Sequence, residues 1–296
     1  MKFGVNLYKF PRYGAQKAKL AEFVRTADTL GYHHVRVLDH VVGIVAEKHG
    51  GIKQTPYTAA SDIHECFALM AWLSAQTTNI RFCTGVLVLP QRQTVLVAKQ
   101  AAEVDILSGG RITLGIGIGY NPVEFKAMGA SFKDRARRFE EQIEVLRLLW
   151  TKEVVNYTGA FHDIEDACLA PLPIQRPIPL WIGVGRLIDP IPPDNVLNRL
   201  GRLADGWLPM FRATPEARAA IAKVRAAAID AGRNPDDIGL EMNLWVEDKP
   251  KSQLLDEIKI ARDMGARHLN CVFTITDPDT EIESIKRFRE VMDALD

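Results

Sequence analysis

Short runs rich in β-branched and aromatic residues recur along the whole chain, and between them apolar residues return at helical spacing. FGVNLY (Phe3 to Tyr8) reads as a first strand; Leu20, Phe23, Val24, Ala27 and Leu30 then mark a helix that Gly31 ends. HVRVLDH (His34 to His40) is a second strand. After a polar loop, Ser61-Asp62 is placed to cap a helix through Leu69 and Leu73. IRFCTGVLVLP (Ile80 to Pro90) is a third strand, with a helix from Thr94 to Leu107 behind it. RITLGIG is a fourth, followed by a loop and a helix from Asp134 to Trp150. PLWIGVG (Pro179 to Gly185), DGWLP around Trp207, IGLEMNLWV (Ile238 to Val246) and HLNCVFTI (His268 to Ile275) complete the set. Pro215 opens the Ala-rich helix that reaches Ala231.

Eight strands, each followed by a helix-sized segment, is the count of an α/β (β/α)8 TIM barrel, and near-continuous apolar strands suit a parallel sheet buried on both faces. An open doubly wound sheet is the competing arrangement. The strand-poor, Pro-rich stretch 154–179 reads as an inserted hairpin or lid, so residues 1–296 are expected to form a single domain.

Composition narrows the function without naming it. Lys plus Arg and Asp plus Glu both number 37, which gives no general basic field to attract nucleic acid or an anionic membrane. No apolar run approaches the roughly 20 residues that span a bilayer. The chain starts without a signal-peptide pattern, and Cys66, Cys83, Cys168 and Cys271 are dispersed, without metal-ligand spacing. The expectation is a cytoplasmic protein with reduced thiols, no metal and a small-molecule partner.

Gly115, Gly117 and Gly119 alternate in RITLGIGIGYNPVEF. A dinucleotide loop requires G-x-G-x-x-G running into a helix, whereas here Asn121-Pro122 is expected to stop the chain from doing so. In a barrel the chemistry lies at the C-terminal strand ends. Those ends are Asn6 and Tyr8, Asp39-His40, Gly85-Val86, Gly117 to Tyr120, Gly183 to Arg186, Trp207 and Asn243. Among them His40 brings an imidazole, the side-chain type suited to proton transfer. The other histidines have no comparable setting. Glycines at strand ends let a ligand approach the backbone. Successive amides of Gly183, Val184 and Gly185 are expected to form an anion nest, with Arg186 chelating phosphate.

LDH at the end of strand two, TGVLVLPQR with VAKQAAEVDILSGGR, GIGIGYNPVEFKAMGASFKDRARRFEEQIEVLRLLW and LADGWLP together resemble the bacterial luciferase-like superfamily. The Asp-His ending resembles its coenzyme F420-dependent branch. The resemblance implies hydride transfer at a deazaflavin carbon, with His40, oriented by Asp39, handling the proton. It places Asp39, Gly85, Val86, Gly117, Ile118, Gly119, Tyr120, Gly183, Val184, Gly185 and Arg186 around the cofactor and puts a non-proline cis peptide at Gly85-Val86. Asn6 and Tyr120 are the substrate-side candidates; Tyr120 either donates a hydrogen bond or stacks. Sugar-phosphate-oxidising relatives carry a glutamate where Tyr120 stands, which argues against that activity here. Glu124, Phe125, Arg135 and Glu140 match the family pattern and are given structural roles. DPIPPDN (Asp189 to Asn195) departs from it. The superfamily also implies a homodimer and leaves open an FMN-dependent monooxygenase, while fold alone permits a non-catalytic flavin-binding protein. An ordinary phosphate-binding barrel isomerase fits less well, because its phosphate site is expected after strands seven and eight.

Overall fold

The computed structural model describes residues 1–7, 16–49, 57–58, 61–186, 189–246, 249–273 and 278–295. Tyr8, Thr274 and Ile275 of the expected strands, and residues 50–56, 59 and 60 of the polar loop, lie outside them.

The strands are β1 (Lys2–Asn6), β2 (His34–Val37), β3 (Arg81–Thr84), β4 (Leu87–Val88), β5 (Ile112–Gly117), β6 (Val155–Thr158), β7 (Asp163–Ala167), β8 (Leu180–Val184), β9 (Gly206–Pro209), β10 (Gly239–Trp245) and β11 (His268–Val272). The helices are α1 (Lys17–Thr29), α2 (Cys66–Ser74), α3 (Thr94–Ser108), α4 (Pro122–Ala127), α5 (Arg135–Thr151), α6 (Asp194–Leu203), α7 (Pro215–Asp230), α8 (Lys251–Asp263) and α9 (Pro278–Asp293). The parallel sheet runs β3-β2-β1-β11-β10-β9-β8-β5-β4, and the β3–β5 pairing closes it. With β3 and β4 sharing one stave, this is a closed eight-strand parallel barrel, the fold expected. β6 and β7 form an antiparallel hairpin outside it.

Each strand sends alternate residues outward and inward. Val5, Val35, Phe82, Leu114, Ile116, Leu180 and Ile182 are buried in the shell that the helices cover. The interior is different. His34, Arg36, Glu241 and Asn270 are buried there, although barrel interiors are commonly filled by branched aliphatics. Arg36 Nη2 lies 2.6 Å from Glu241 Oε1, and His34 Nε2 3.1 Å from Glu241 Oε2. Burial opposes ionisation of Glu241, yet the charges of Arg36 and His34 outweigh it and hold the carboxyl down at about 2. Wide side chains are admitted by glycine: a Cβ on Gly206 or Gly239 would collide with the Trp181 ring, and one on Gly4 with His34.

Three local expectations are corrected. The third strand is not continuous but breaks between Thr84 and Leu87 around Gly85 and Val86 and ends in a 3-10 turn, Leu89–Gln91. The cap of α2 is Glu65, whose carboxylate accepts the Ala68 amide at 2.7 Å, rather than Ser61-Asp62. Asn121-Pro122 starts a helix instead of preventing one. The Asn121 side chain accepts the amides of Val123 and Glu124, and Pro122 occupies the first turn of α4, where its missing N–H is not required.

Candidate active site

The strand ends bring several of the predicted residues to one mouth. His40 follows β2, Val86 lies between β3 and β4, Gly117 ends β5 with Ile118, Gly119 and Tyr120 after it, and Asn6 ends β1. The side chain of His40 is 11% exposed. Its ring lies 4.6 Å from that of Tyr57 and 6.1 Å, edge-on, from that of Tyr120.

Asp39 does not orient His40. The Asp39 carboxylate accepts the Val88 amide at 3.0 Å and Arg92 Nη2 at 2.6 Å, so it fastens β4 to the mouth. The partner of His40 is Glu124, on α4: His40 Nδ1 lies 3.1 Å from Glu124 Oε2, and the Val41 amide donates to Oε1 at 2.7 Å. Glu124 is 1% exposed. Burial disfavours its charge, but the hydrogen bond and positive charge of His40 overcome this and lower its pKa. With Nδ1–H given to the carboxylate, Nε2 is the ring atom left for chemistry, and no partner for it occurs among the described residues. The signal was present in sequence, since Asn121 caps a turn whose fourth residue is Glu124, but nothing local tied that turn to His40.

The Gly85–Val86 peptide is cis. The Val86 side chain enters a notch made by two glycines: a Cβ on Gly117 would stand 2.7 Å from Val86 Cγ2, and one on Gly183 2.5 Å from Val86 Cγ1. Gly119 is approached by Val88 and Phe125 in the same way. The alternating glycines therefore accept protein side chains rather than opening directly onto a ligand. What they create is a half-exposed valine platform at the centre of the mouth.

The predicted anion nest is also corrected. Gly183 and Val184 are extended residues of β8, registered with Leu208 and Pro209, so their amides point to opposite sides and cannot converge with that of Gly185. Gly185 backs onto the Pro190 carbonyl, and Arg186 folds onto Asp189, with amide and carbonyl exchanged at 2.9 and 3.1 Å and the side chains 3.4 Å apart. Glu140 binds Arg199 at 2.7 Å and Arg202 at 3.0 Å, and Arg135 stacks on Phe132 at 3.8 Å, the structural roles expected of them.

Two features fit a planar heteroaromatic group at the mouth. One is the apolar platform of Val86; the other is Asn6, 4% exposed, whose Oδ1 and Nδ2 both lack a hydrogen-bond partner among the described residues. A buried amide left unpaired is unfavourable unless a ligand completes it. Asn243 donates to the Pro209 carbonyl at 3.4 Å and accepts from Asn270 at 2.9 Å, continuing the polar lining downward. A cavity of about 680 Å³ lies at the opposite end of the barrel, against Lys2, Trp181, Gly239 and His268. Burial keeps His33 and His268 neutral there, with pKa values down at about 3 and 4. Among the described residues no group of His, Cys, Asp and Glu could hold a metal, and no helix is long and apolar enough to cross a membrane.

Known proteins match this arrangement along most of the chain. The sequence model of the luciferase-like monooxygenase family matches residues 1–249. An uncharacterized protein of Mycobacterium tuberculosis is 33% identical over 236 residues, which are 76% of this chain and 76% of that one. An F420-dependent glucose-6-phosphate dehydrogenase of Amycolatopsis mediterranei is 31% identical over 196 residues, 64% of this chain and 52% of its own length. Among solved structures, monooxygenase RslO1 from Streptomyces bottropensis superposes with a TM-score of 0.77 at 21% identity, covering 98% of both chains.

Proposed function

The chain belongs to the luciferase-like monooxygenase family, and from that premise we propose that it is an F420-dependent oxidoreductase acting on a small organic molecule. The observation that carries this reading is the His40–Glu124 pair, which engages Nδ1 and leaves Nε2 without a partner among the described residues. The Asp39-His40 ending of strand two supports deazaflavin over flavin; the relatives include both an F420-dependent dehydrogenase at 31% identity and a pyrimidine monooxygenase at 34%.

When bound, the deazaflavin supplies a carbon that takes or gives a hydride. The protein would hold it on Val86, with Asn6 at a polar edge and Ile118, Gly119 and Tyr120 along one side. Asp39 acts at one remove, since its hold on the Val88 amide and Arg92 fixes the strand that carries the platform. His40 Nε2 would accept the proton of a substrate O–H or N–H as the hydride leaves the adjoining carbon, or return it in the reverse direction. Glu124 holds the Nδ1–H tautomer that leaves Nε2 able to accept in the first case, and stabilises the imidazolium that forms there and donates in the second. Tyr120, 40% exposed and edge-on to His40, is placed to meet the substrate. Residues 1–296 work as one catalytic unit, as a cytoplasmic homodimer, without nucleic acid or membrane.

Absorbance titration of the purified protein with F420 and with FMN tests the assignment. Saturable F420 binding without FMN binding is expected. The reverse, with oxygen consumption in the presence of reduced FMN, would instead identify a flavin monooxygenase.

A further inference from the structure

With the three-amide nest absent, the mouth needs another place for a ligand's anionic group. Three cations at the strand ends are neutralised: Arg92 by Asp39, Arg36 by Glu241, and Arg186 by Asp189. Arg212 differs from these. It is exposed, has no acidic partner among the described residues, and its guanidinium carbon sits 4.1 Å from the centroid of the Trp245 ring.

Its mount is rigid. Phe211, 1% exposed, packs edge-on to Trp207 at 5.4 Å. The Met210 amide donates to the Val184 carbonyl at 3.2 Å, and Asn243 donates to the Pro209 carbonyl. Two residues further on, Thr214 caps α7 by accepting the Ala217 amide at 3.2 Å. A guanidinium lying on an aromatic face keeps its N–H groups at the edge, where they match two oxygens of a phosphate or carboxylate. The strand order also gives a direction. From β2 to β9 there are four steps either way around the barrel, so Arg212, which follows β9, stands across the mouth from His40.

We propose that Arg212, seated on Trp245, is the anion clamp of this site and binds a phosphate or carboxylate on the ligand whose reacting end lies near His40. The clamp rests on the functional reading only in placing its ligand at the same mouth. The anion belongs either to the cofactor's side chain or to the substrate.

Wild type, Arg212→Gln, Arg212→Lys and Trp245→Phe are to be titrated with inorganic phosphate, with F420 and with the phosphate-free deazaflavin core, by calorimetry and tryptophan fluorescence. Phosphate binding by the apo protein should weaken by about tenfold in Arg212→Gln, the loss of one charge-assisted contact. Arg212→Lys should retain part of it, and Trp245→Phe should remove the fluorescence change. A matching loss for F420, with the phosphate-free core unaffected, assigns the anion to the cofactor. Loss for phosphate with F420 unchanged assigns it to the substrate. Equal phosphate binding by wild type and Arg212→Gln, or none by either, overturns the clamp. Wild type that binds phosphate but neither F420 nor FMN overturns the functional reading and leaves the clamp standing.

Discussion

Two histidines of this barrel hold a glutamate in nearly the same way and differ in what their other nitrogen meets. His40 Nδ1 reaches Glu124 at 3.1 Å at the mouth; His162 Nδ1 reaches Glu141 at 2.8 Å where the β6–β7 hairpin joins α5. Burial does not separate them, since the side chains are 11% and 8% exposed. The difference is at Nε2. In His162 it shares a hydrogen bond of 2.5 Å with Thr94 Oγ1, which in turn accepts Gln142 Nε2 at 3.0 Å. That chain of hydroxyl, imidazole and carboxylate has the order of a hydrolytic triad, but Thr94 is 3% exposed and every member is used to tie the hairpin to the barrel. In His40 the second nitrogen has no partner among the described residues. A carboxylate beside an imidazole is thus a way of orienting it, and chemistry follows only where the opposite atom is kept open.

The strongest way to break this comparison is His40→Ala, which should lower kcat/KM by about 10²–10⁴ if the ring moves a proton. The cofactor dissociation constant and melting temperature should stay close to wild type. Glu124→Gln comes next: the amide oxygen still accepts Nδ1–H, but the charge is lost. A decrease of about tenfold in kcat with KM little changed is expected, together with an altered pH–rate profile. A merely structural Glu124 would lower stability and leave the profile unchanged.

The sealed pair should respond in the opposite sense. His162→Ala removes the imidazole that joins Thr94 to Glu141 and should cost about 1–3 kcal/mol of stability in denaturant unfolding, with activity per folded molecule unchanged. Diethyl pyrocarbonate followed by peptide mass spectrometry needs no substrate: His40 should be acylated well before His162, and equal rates would remove the distinction.

A last test uses the neutral histidines at the far end. His33 and His268 hold fewer protons folded, with pKa values of about 3 and 4, than unfolded at about 6.5. Between those values the unfolded state binds more protons, so stability should fall as pH drops from about 6.5 toward 3. Melting temperatures across that range for wild type and His33→Gln would show it; a flat wild-type curve would contradict the burial argument.

Much of the architecture was legible in the sequence because it rests on short-range periodicity. Apolar runs gave the eight strand positions, helical spacing gave α1, α3, α5 and α7, and the rule that barrel chemistry lies at strand C-termini brought Asn6, His40, Val86 and Tyr120 to one mouth. Tertiary structure alone decided which groups meet there. Glu124 lies 84 residues from His40, whereas adjacent Asp39 turns away to Arg92. The glycines of β5 and β8 could be seen to need space, but not that Val86 fills it. The buried Arg36–Glu241 pair was not legible in the strand runs, because a strand pattern does not record which face points into the barrel. Periodicity is a property of neighbours in sequence, while pairing across a closed barrel depends on register between strands far apart in the chain.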